Sequence, residues 1–254
     1  MKKSLDELKQ IVRSVGKLDG WDFSRVRFER GPVLWDYVDV ARQYLKPMDR
    51  VLDLGTGGGE IFFSLAPCFG KGIGIDENPA MIEAARHNLS ALAINNVSVM
   101  QMEASELHFD ANEFDVVLLR HISVYVSEIL RVLRPGGYFI TQIVGQRSSL
   151  NFLKAFDWTP ASFGPDWWQS VAELADQFRS LGCHILAQAE YDVPYWFKDV
   201  ESFMFWLMAV PWPEPIELDK HWPNINRILE TYQTDRGIET NEHRGLLIVQ
   251  KKDS

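Results

Sequence analysis

The sequence predicts an α/β protein with a doubly wound, mostly parallel sheet. Between residues 50 and 144, five short apolar runs alternate with helical patterns, and two more strand-like runs follow towards the end of the chain. A glycine-rich turn comes directly after the first run. Because strands joined by helical crossovers pair in parallel, this alternation indicates one open sheet with helices on both faces.

Helical patterns precede the first strand of the predicted sheet. Residues 3–14 and residues 31–45 each repeat apolar side chains at the spacing of an amphipathic helix. Pro32 suits the first turn of the second helix, where a backbone N–H has no helical partner. We therefore expect an N-terminal helical arm over residues 1–47.

The predicted core covers residues 48–190, and residues 241–254 add its last strand and the tail. Each strand is a short apolar run bounded by turn residues, and Asn78 with Pro79 marks a helix start. The predicted strands are Arg50–Leu54, Lys71–Asp76, Val97–Met102, Phe114–Leu119, Tyr138–Val144, His184–Ala189 and Gly245–Gln250. The predicted helices among them are Gly59–Leu65, Met81–Leu89 and Ile122–Leu133.

The composition is that of a soluble globular protein, with 46% hydrophobic and 24% charged residues. No apolar run reaches the roughly 18–20 residues that cross a bilayer, and the N-terminus lacks the apolar segment of a secretory signal. The two cysteines form no CxxC pair, which favours a cytoplasmic protein with reduced thiols. The net charge of −9 argues against a nucleic-acid partner, because phosphate binding needs clustered Lys and Arg.

The strongest motif is VLDLGTGGGE at residues 51–60, where a buried strand ends in glycines. Glycines allow positive φ and let the backbone approach a ligand at the carboxyl end of a strand. The spacing is GxGxG, whereas a dinucleotide fingerprint would need its third glycine at Glu60. A purely structural tight turn remains the alternative interpretation.

Asp76 ends the second predicted strand and is followed by Glu77. An acidic side chain at this distance from the glycine turn can accept hydrogen bonds from two ribose hydroxyls. The alternative is an aspartate that caps the following helix or turn, although Asn78 is already available as a cap. After the third strand, the carboxylate of Glu103 could accept a hydrogen bond from an exocyclic amine, or it could belong to an ordinary acidic loop.

Five segments together resemble the class I (Rossmann-like) S-adenosylmethionine-dependent methyltransferases. They are VLDLGTGGGE, GIDENPAMIEAA, MEASELHF, FDVVLLRH and LRPGGYF, and the resemblance covers about residues 48–145. It implies S-adenosylmethionine as the cofactor and a seven-stranded sheet whose last two strands form an antiparallel hairpin. Two positions depart from the usual pattern, since the family often has Asp at Glu103 and Pro at His108.

The resemblance also implies which residues line the cofactor site. They are Asp53, Gly55, Thr56, Gly57 and Gly59 at the methionine moiety, Asp76 and Glu77 at the ribose, Glu103 and Ala104 at the adenine, and Arg120 beside the transferred methyl group.

Two further residues are candidates with open alternatives. His121 also borders the methyl group and is the best-placed general base, but a base is needed only if the acceptor must lose a proton. It could instead cap or pack after the fourth strand. Arg30 could pair with the cofactor carboxylate if the N-terminal arm folds over the site, or it could be an exposed arginine at a helix start.

Residues 191–240 form an insertion, rich in aromatic residues and proline, that the sheet does not require. A helix is predicted over Val200–Ala209, ending before Pro211. We expect this inserted helical cap and the N-terminal helices to form a lid and an acceptor pocket, with a rigid buttress as the alternative. The segment has 4 Lys or Arg against 9 Asp or Glu, a balance of −5, which favours a neutral or cationic acceptor.

The preferred interpretation is therefore a methyltransferase that acts on a small-molecule acceptor by in-line transfer. The alternatives are an RNA or protein methyltransferase, a nucleotide-dependent oxidoreductase, which the GxGxG spacing disfavours, and a cofactor-binding regulator without turnover. No His or Cys set has zinc spacing, so no metal is expected.

Overall fold

One sheet organises the protein in the computed structural model, which describes residues 2–16, 18, 21–164 and 169–253. Residues 1, 17, 19 and 20 of the predicted arm, 165–168 of the predicted core and 254 of the tail lie outside this description. Within the described residues the sheet has nine strands, rather than the seven that the resemblance implied. They are β1 (Phe28–Arg30), β2 (Arg50–Leu54), β3 (Lys71–Asp76), β4 (Val97–Gln101), β5 (Phe114–Arg120), β6 (Leu133–Val144), β7 (His184–Phe197), β8 (Gln233–Thr234) and β9 (Gly237–Gln250).

Helices cover the sheet and extend one end of it. They are α1 (Leu5–Val15), α2 (Tyr37–Arg42), α3 (Glu60–Leu65), α4 (Pro79–Ala91), α5 (Val126–Val132), α6 (Leu150–Ala155), α7 (Val171–Ser180), α8 (Val200–Ala209) and α9 (Leu218–Thr231). In the described part of the chain, no helix combines the length and the apolar character needed to cross a membrane.

The strand order is β1-β7-β9-β6-β5-β2-β3-β4, and β8 pairs with β9. Strands β6, β5, β2, β3 and β4 run parallel, while β9 is antiparallel to both β6 and β7. The chain proceeds from β2 outwards through β3 and β4 and then returns to place β5 on the other side of β2. This reversal confirms the doubly wound fold, and the turn after β2 lies at the switch point where such sheets bind ligands.

The arm preceding β2 differs from the predicted pair of helices. The second helix, predicted over residues 31–45, covers only Tyr37–Arg42, because the Asp36 carboxylate accepts hydrogen bonds from the N–H groups of Val38 and Asp39 and starts the helix there. Before it, Phe28–Arg30 forms an edge strand that pairs antiparallel with the end of β7.

Further boundaries differ inside and after the core, and β6 begins at Leu133 rather than at the predicted Tyr138. The helix predicted from Ile122 begins at Val126. Strands β7 and β9 have 14 residues each, far beyond the predicted six, and they pair from His184 with Gln250 to Phe197 with Ile238. Consequently, both ends of the predicted insertion 191–240 belong to this hairpin.

A second hydrophobic core joins the insertion to the N-terminal arm. Leu8 of α1 and Phe152 of α6 are fully buried together with Phe203 of α8 and Ile225 of α9. The Phe152 ring meets the Phe203 ring edge-on at 5.3 Å between centroids. Because these elements bury apolar area against one another, the inserted helices and α1 stabilise each other.

Replacing Phe203 with alanine tests this shared core. Phe203 is 0% exposed, so Phe203→Ala should leave a cavity and lower the free energy of unfolding by about 3–5 kcal/mol. Urea denaturation monitored by circular dichroism measures the change. Glu201→Ala, at an exposed position of the same helix, should alter stability by about 0.5 kcal/mol or less. Equal losses in the two variants would contradict the assigned packing.

Candidate active site

A cavity of about 1570 Å³ runs along the carboxyl ends of the parallel strands and continues beneath the inserted helix α8 and the segment that follows it. Most of the residues that the sequence singled out line it. These are Arg30, Asp53, Gly55, Thr56, Gly57, Asp76, Glu77, Ala104, Arg120 and His121.

The glycine turn after β2 is held in an open conformation by backbone hydrogen bonds. Gly55 and Gly57 have φ of 71° and 57°, values that residues with a Cβ rarely adopt. The Thr56 N–H donates to the Ile75 carbonyl oxygen at 2.8 Å, and the Gly57 N–H donates to Asp76 Oδ2 at 3.0 Å. The turn is therefore tied to the end of β3.

Asp76 serves the turn and also faces the cavity. Its Oδ1 accepts a hydrogen bond from the Asn78 N–H at 2.9 Å, while the Asn78 side chain caps α4. Asp76 therefore does have the structural role in the turn that the sequence analysis gave as the alternative. A carboxylate has about four lone-pair sites, so two remain for hydroxyl donors from a ligand.

Asp53 occupies the end of β2 beneath this turn. Burial raises the pKa of the Asp53 carboxyl to about 7, with Arg120 opposing the rise and Asp76 adding to it. A carboxyl with this pKa changes charge close to neutral pH. A cation placed beside it would favour the ionised form.

His121 leaves β5 in a left-handed conformation, with φ of 65°, and contacts Gln142 of β6. The Trp35 indole N–H donates to Gln142 Oε1 at 2.9 Å, so the Gln142 amide nitrogen faces His121 Nε2 at 3.0 Å. An amide NH₂ can only donate, and therefore Nε2 accepts and the imidazole carries its proton on Nδ1.

The charge state of His121 agrees with this arrangement. Burial lowers the pKa of His121 well below its ordinary value, and the positive charges of Arg120 and Arg244 lower it further. The ring is consequently neutral at ordinary pH, and its basic nitrogen is already engaged by Gln142. The sequence identified no partner for His121, because Gln142 lies on a neighbouring strand and has no motif of its own.

Gly59 and Glu103 lie outside the lining described for this cavity. Gly59, with φ of 83°, is the N-cap of α3, and a Cβ there would collide with the Phe63 ring. Glu103 is exposed and accepts a hydrogen bond from the Ser105 hydroxyl at 3.3 Å, while Met102 and Ala104 face the cavity. These placements do not favour ligand contacts by Gly59 or by the Glu103 carboxylate, whose assignments stay predictions.

Arg30 lies on the edge strand β1 and not at a helix start. Its Nη1 is 3.1 Å from Glu242 Oε1, at the end of the cavity opposite the glycine turn. In the strand order, β1 is five strands away from β2. This position favours the far end of the cavity over a partnership with a ligand at the turn.

Trp21 of the N-terminal arm lies over the glycine turn, a contact that sequence reasoning missed. Its backbone N–H donates to Glu60 Oε1 at 3.3 Å, and its Cβ lies 3.3 Å from where a Cβ of Gly57 would be. Phe23 meets the rings of Trp21 and Phe205 edge-on, at 5.4 and 6.1 Å between centroids. The arm thereby connects the turn to the inserted helix α8.

Comparisons with known proteins identify a methyltransferase domain in this chain. The family described as a methyltransferase domain matches residues 45–179. A ubiquinone/menaquinone biosynthesis C-methyltransferase, UbiE, from Ectopseudomonas mendocina is 28% identical over 159 residues, which is 58% of this chain and 62% of that protein. The chain thus spans less than two thirds of that relative.

Solved structures share the fold at low sequence identity. The YcgJ protein from Bacillus subtilis has a TM-score of 0.63 and 19% identity, covering 86% of this chain and 99% of that one. The [4+2]-cyclase SpnF has a TM-score of 0.58 and 16% identity, covering 100% and 98%. Likenesses at this identity establish the fold, and the same fold supports more than one chemistry.

The neutral state of His121 is testable by nuclear magnetic resonance. Because the pKa of His121 is lowered, its imidazole nitrogen signals should keep the pattern of the Nδ1–H tautomer from about pH 8 down to about pH 6. His121→Gln assigns the signals, and Gln142→Leu should remove the tautomer preference. A titration midpoint between these pH values in the unmodified protein would refute the assignment.

Proposed function

Because the chain belongs to the class I S-adenosylmethionine-dependent methyltransferase family, we propose that it transfers the cofactor's methyl group to a small-molecule acceptor. One observation carries this proposal: a single cavity joins the glycine turn at the switch point to a pocket walled by aromatic side chains. Such a cavity places a cofactor and an acceptor end to end, as an in-line displacement requires.

The residues at the turn fit the cofactor. The backbone of Gly55 and Gly57 borders the cavity without side chains, and the carboxylates of Asp53 and Asp76 face it from neighbouring strands. The volume of about 1570 Å³ exceeds the roughly 300–1,000 Å³ of a pocket for one ligand, so a second molecule has room. When bound, S-adenosylmethionine supplies a methyl group already activated on a sulfonium.

We assign the polar contacts by strand position. Asp76 accepts hydrogen bonds from the ribose hydroxyls, with Glu77 beside it, and Met102 and Ala104 border the adenine. Asp53 binds the methionine ammonium group. Arg120 ends β5, next to β2, and makes no ion pair within the described ranges, which supports it as the partner of the cofactor carboxylate.

The inserted cap forms the wall on the acceptor side. Phe205, Trp206 and Met208 of α8 line the cavity together with Pro211 and Trp212. An apolar wall here excludes water from the reacting centre and orients the acceptor. Helix α8 also acts as a rigid buttress, because Phe203 of the same helix packs into the second hydrophobic core. One helix therefore serves both as the wall of the cavity and as a support.

The polar groups near the methyl position support catalysis by alignment. His121 is neutral and its accepting nitrogen is engaged by Gln142, so it is a weak base in this arrangement. We propose that His121 and Gln142 position the acceptor and Arg120 rather than remove a proton. Loss of the sulfonium charge and good alignment can supply most of the acceleration. A cytoplasmic location fits the free thiols of Cys68 and Cys183.

Asp76→Ala tests the cofactor assignment. Losing the charged acceptor should weaken binding of S-adenosylmethionine and S-adenosylhomocysteine by about 1–3 kcal/mol, measured by calorimetry. NAD should not bind the unmodified protein. Asp176→Ala, at an exposed site on α7, is the matched control and should bind normally. The ribose assignment fails if Asp76→Ala binds as tightly as the control while its circular dichroism is intact.

The pH dependence of cofactor binding tests Asp53. Its pKa of about 7 means that the carboxyl is protonated below neutrality and must ionise to hold the ammonium group. The dissociation constant for S-adenosylhomocysteine should therefore rise by up to about tenfold between pH 7.5 and pH 6 and level off above neutrality. Asp53→Asn should bind more weakly at all pH values and lose this dependence. An unchanged profile in Asp53→Asn would remove Asp53 from the assigned role.

A further inference from the structure

The end of the cavity opposite the glycine turn is built around Arg244 of β9. Its side chain is only 17% exposed. Its Nη1 donates to Ser148 Oγ at 3.2 Å and to the His243 carbonyl oxygen at 2.9 Å, and its Nη2 is 3.5 Å from Glu242 Oε2. Nε makes no hydrogen bond within the described part of the chain. A guanidinium has five N–H donors, so this buried cation keeps donors for a ligand.

The single carboxylate of Glu242 is shared by two arginines and a tyrosine, so it does not neutralise both arginine charges. Its Oε1 accepts a hydrogen bond from the Tyr191 hydroxyl at 2.7 Å and lies 3.1 Å from Arg30 Nη1. One carboxylate therefore holds both Arg30 and Arg244 in place. Asp36 also borders the cavity, but it is exposed and its carboxylate accepts two backbone N–H groups at the start of α2.

Strand positions separate this arginine pair from the cofactor. Strand β9 is the third strand from β2, and neighbouring strands lie about 4.8 Å apart, so Arg244 is roughly 14 Å along the sheet from the glycine turn. Arg120, one strand from β2, is within reach of the cofactor carboxylate. The charges that remain to face the acceptor are the two positive charges of Arg30 and Arg244 and the single negative charge of Glu242.

Aromatic rings flank the arginine pair. The Trp35 and Tyr191 rings lie 4.6 Å apart between centroids, and Phe28 stacks on Tyr195 at 4.9 Å. Burial raises the pKa values of both tyrosines, so their hydroxyls remain neutral donors. Flat aromatic walls beside a planar guanidinium suit a flat ligand that carries a carboxylate, which arginine can bind through two parallel hydrogen bonds.

We propose that the methyl acceptor is an aromatic monocarboxylate whose carboxylate is bound by Arg244 and Arg30. This inference rests on the proposed methyltransferase function. It replaces the sequence-based expectation of a neutral or cationic acceptor, because none of the acidic residues counted in residues 191–240 lines the cavity. A phosphorylated ring fits less well, since Glu242 repels a second negative charge.

Calorimetry with matched ligand pairs tests the proposal. With S-adenosylhomocysteine present, benzoate, the three hydroxybenzoates and indole-3-carboxylate are each titrated against the corresponding amide, and benzoate against phenyl phosphate. At least one carboxylate should bind about 10- to 100-fold more tightly than its amide, as expected for charged hydrogen bonds. Arg244→Gln should remove this preference and Arg30→Gln should reduce it. Arg179→Gln, which breaks an exposed ion pair with Asp176 on α7, should keep it.

Three outcomes would overturn the proposal: no carboxylate binds more tightly than its amide, the preference survives in both Arg244→Gln and Arg30→Gln, or phenyl phosphate binds more tightly than benzoate. If Arg244→Gln does not fold, the partly exposed Arg30→Gln decides the second outcome. S-adenosylhomocysteine should bind all folded variants alike. Its failure to bind the unmodified protein would instead refute the proposed function, which keeps the two results distinguishable.

Discussion

The Asp76 carboxylate makes the contacts on which the site depends most. By accepting the N–H groups of Gly57 and Asn78, it fixes the glycine turn after β2 against the start of α4. The Thr56 N–H adds a second tie, to the Ile75 carbonyl oxygen. A turn with four glycines in five residues has high conformational entropy when unfolded, so these contacts are what hold its backbone open for a ligand.

The parallel part of the fold was predictable because its signals are local. In the strands β2, β3, β4 and β5, apolar residues are consecutive or alternate over a short segment with turn residues at its ends. The predicted bounds match the structure to within a residue. The antiparallel end was not predictable in the same way. Phe28–Arg30 has no strand pattern of its own and is extended because Tyr195–Phe197 offers an edge to pair with. The length of the β7–β9 hairpin likewise depends on pairing partners that are between 41 (Phe197 and Ile238) and 66 (His184 and Gln250) residues apart in sequence.

The same division applies to the site residues. Gly57 and Asp76 belong to short motifs that chemistry alone singles out, and Asp53 is implied by the family resemblance. All three border the cavity. Gln142 of β6 and the residues Glu242 and Arg244 of β9 do not form a motif, and they come to line the same cavity only when β6 and β9 pair. The net charge of residues 191–240 does not describe the cavity wall, for a related reason. Asp199 starts α8 and pairs with Arg27, and Glu214 pairs with Lys220, so these acids are used in ion pairs and neither lines the cavity.

The chemical character of the cavity wall therefore changes in the order of the strands. From β2 towards β1, the cavity wall changes from glycine backbone and carboxylates to a neutral histidine–glutamine pair, and then to arginines and aromatic rings. The first section is assembled from local turns, which explains why the family motifs lie there. The last section is assembled from the long hairpin, the edge strand and the inserted helix α8. Selection for a different acceptor can change that last section without disturbing the turn at Asp76. This separation is the physical reason why a sequence of this fold reveals its cofactor more readily than its acceptor.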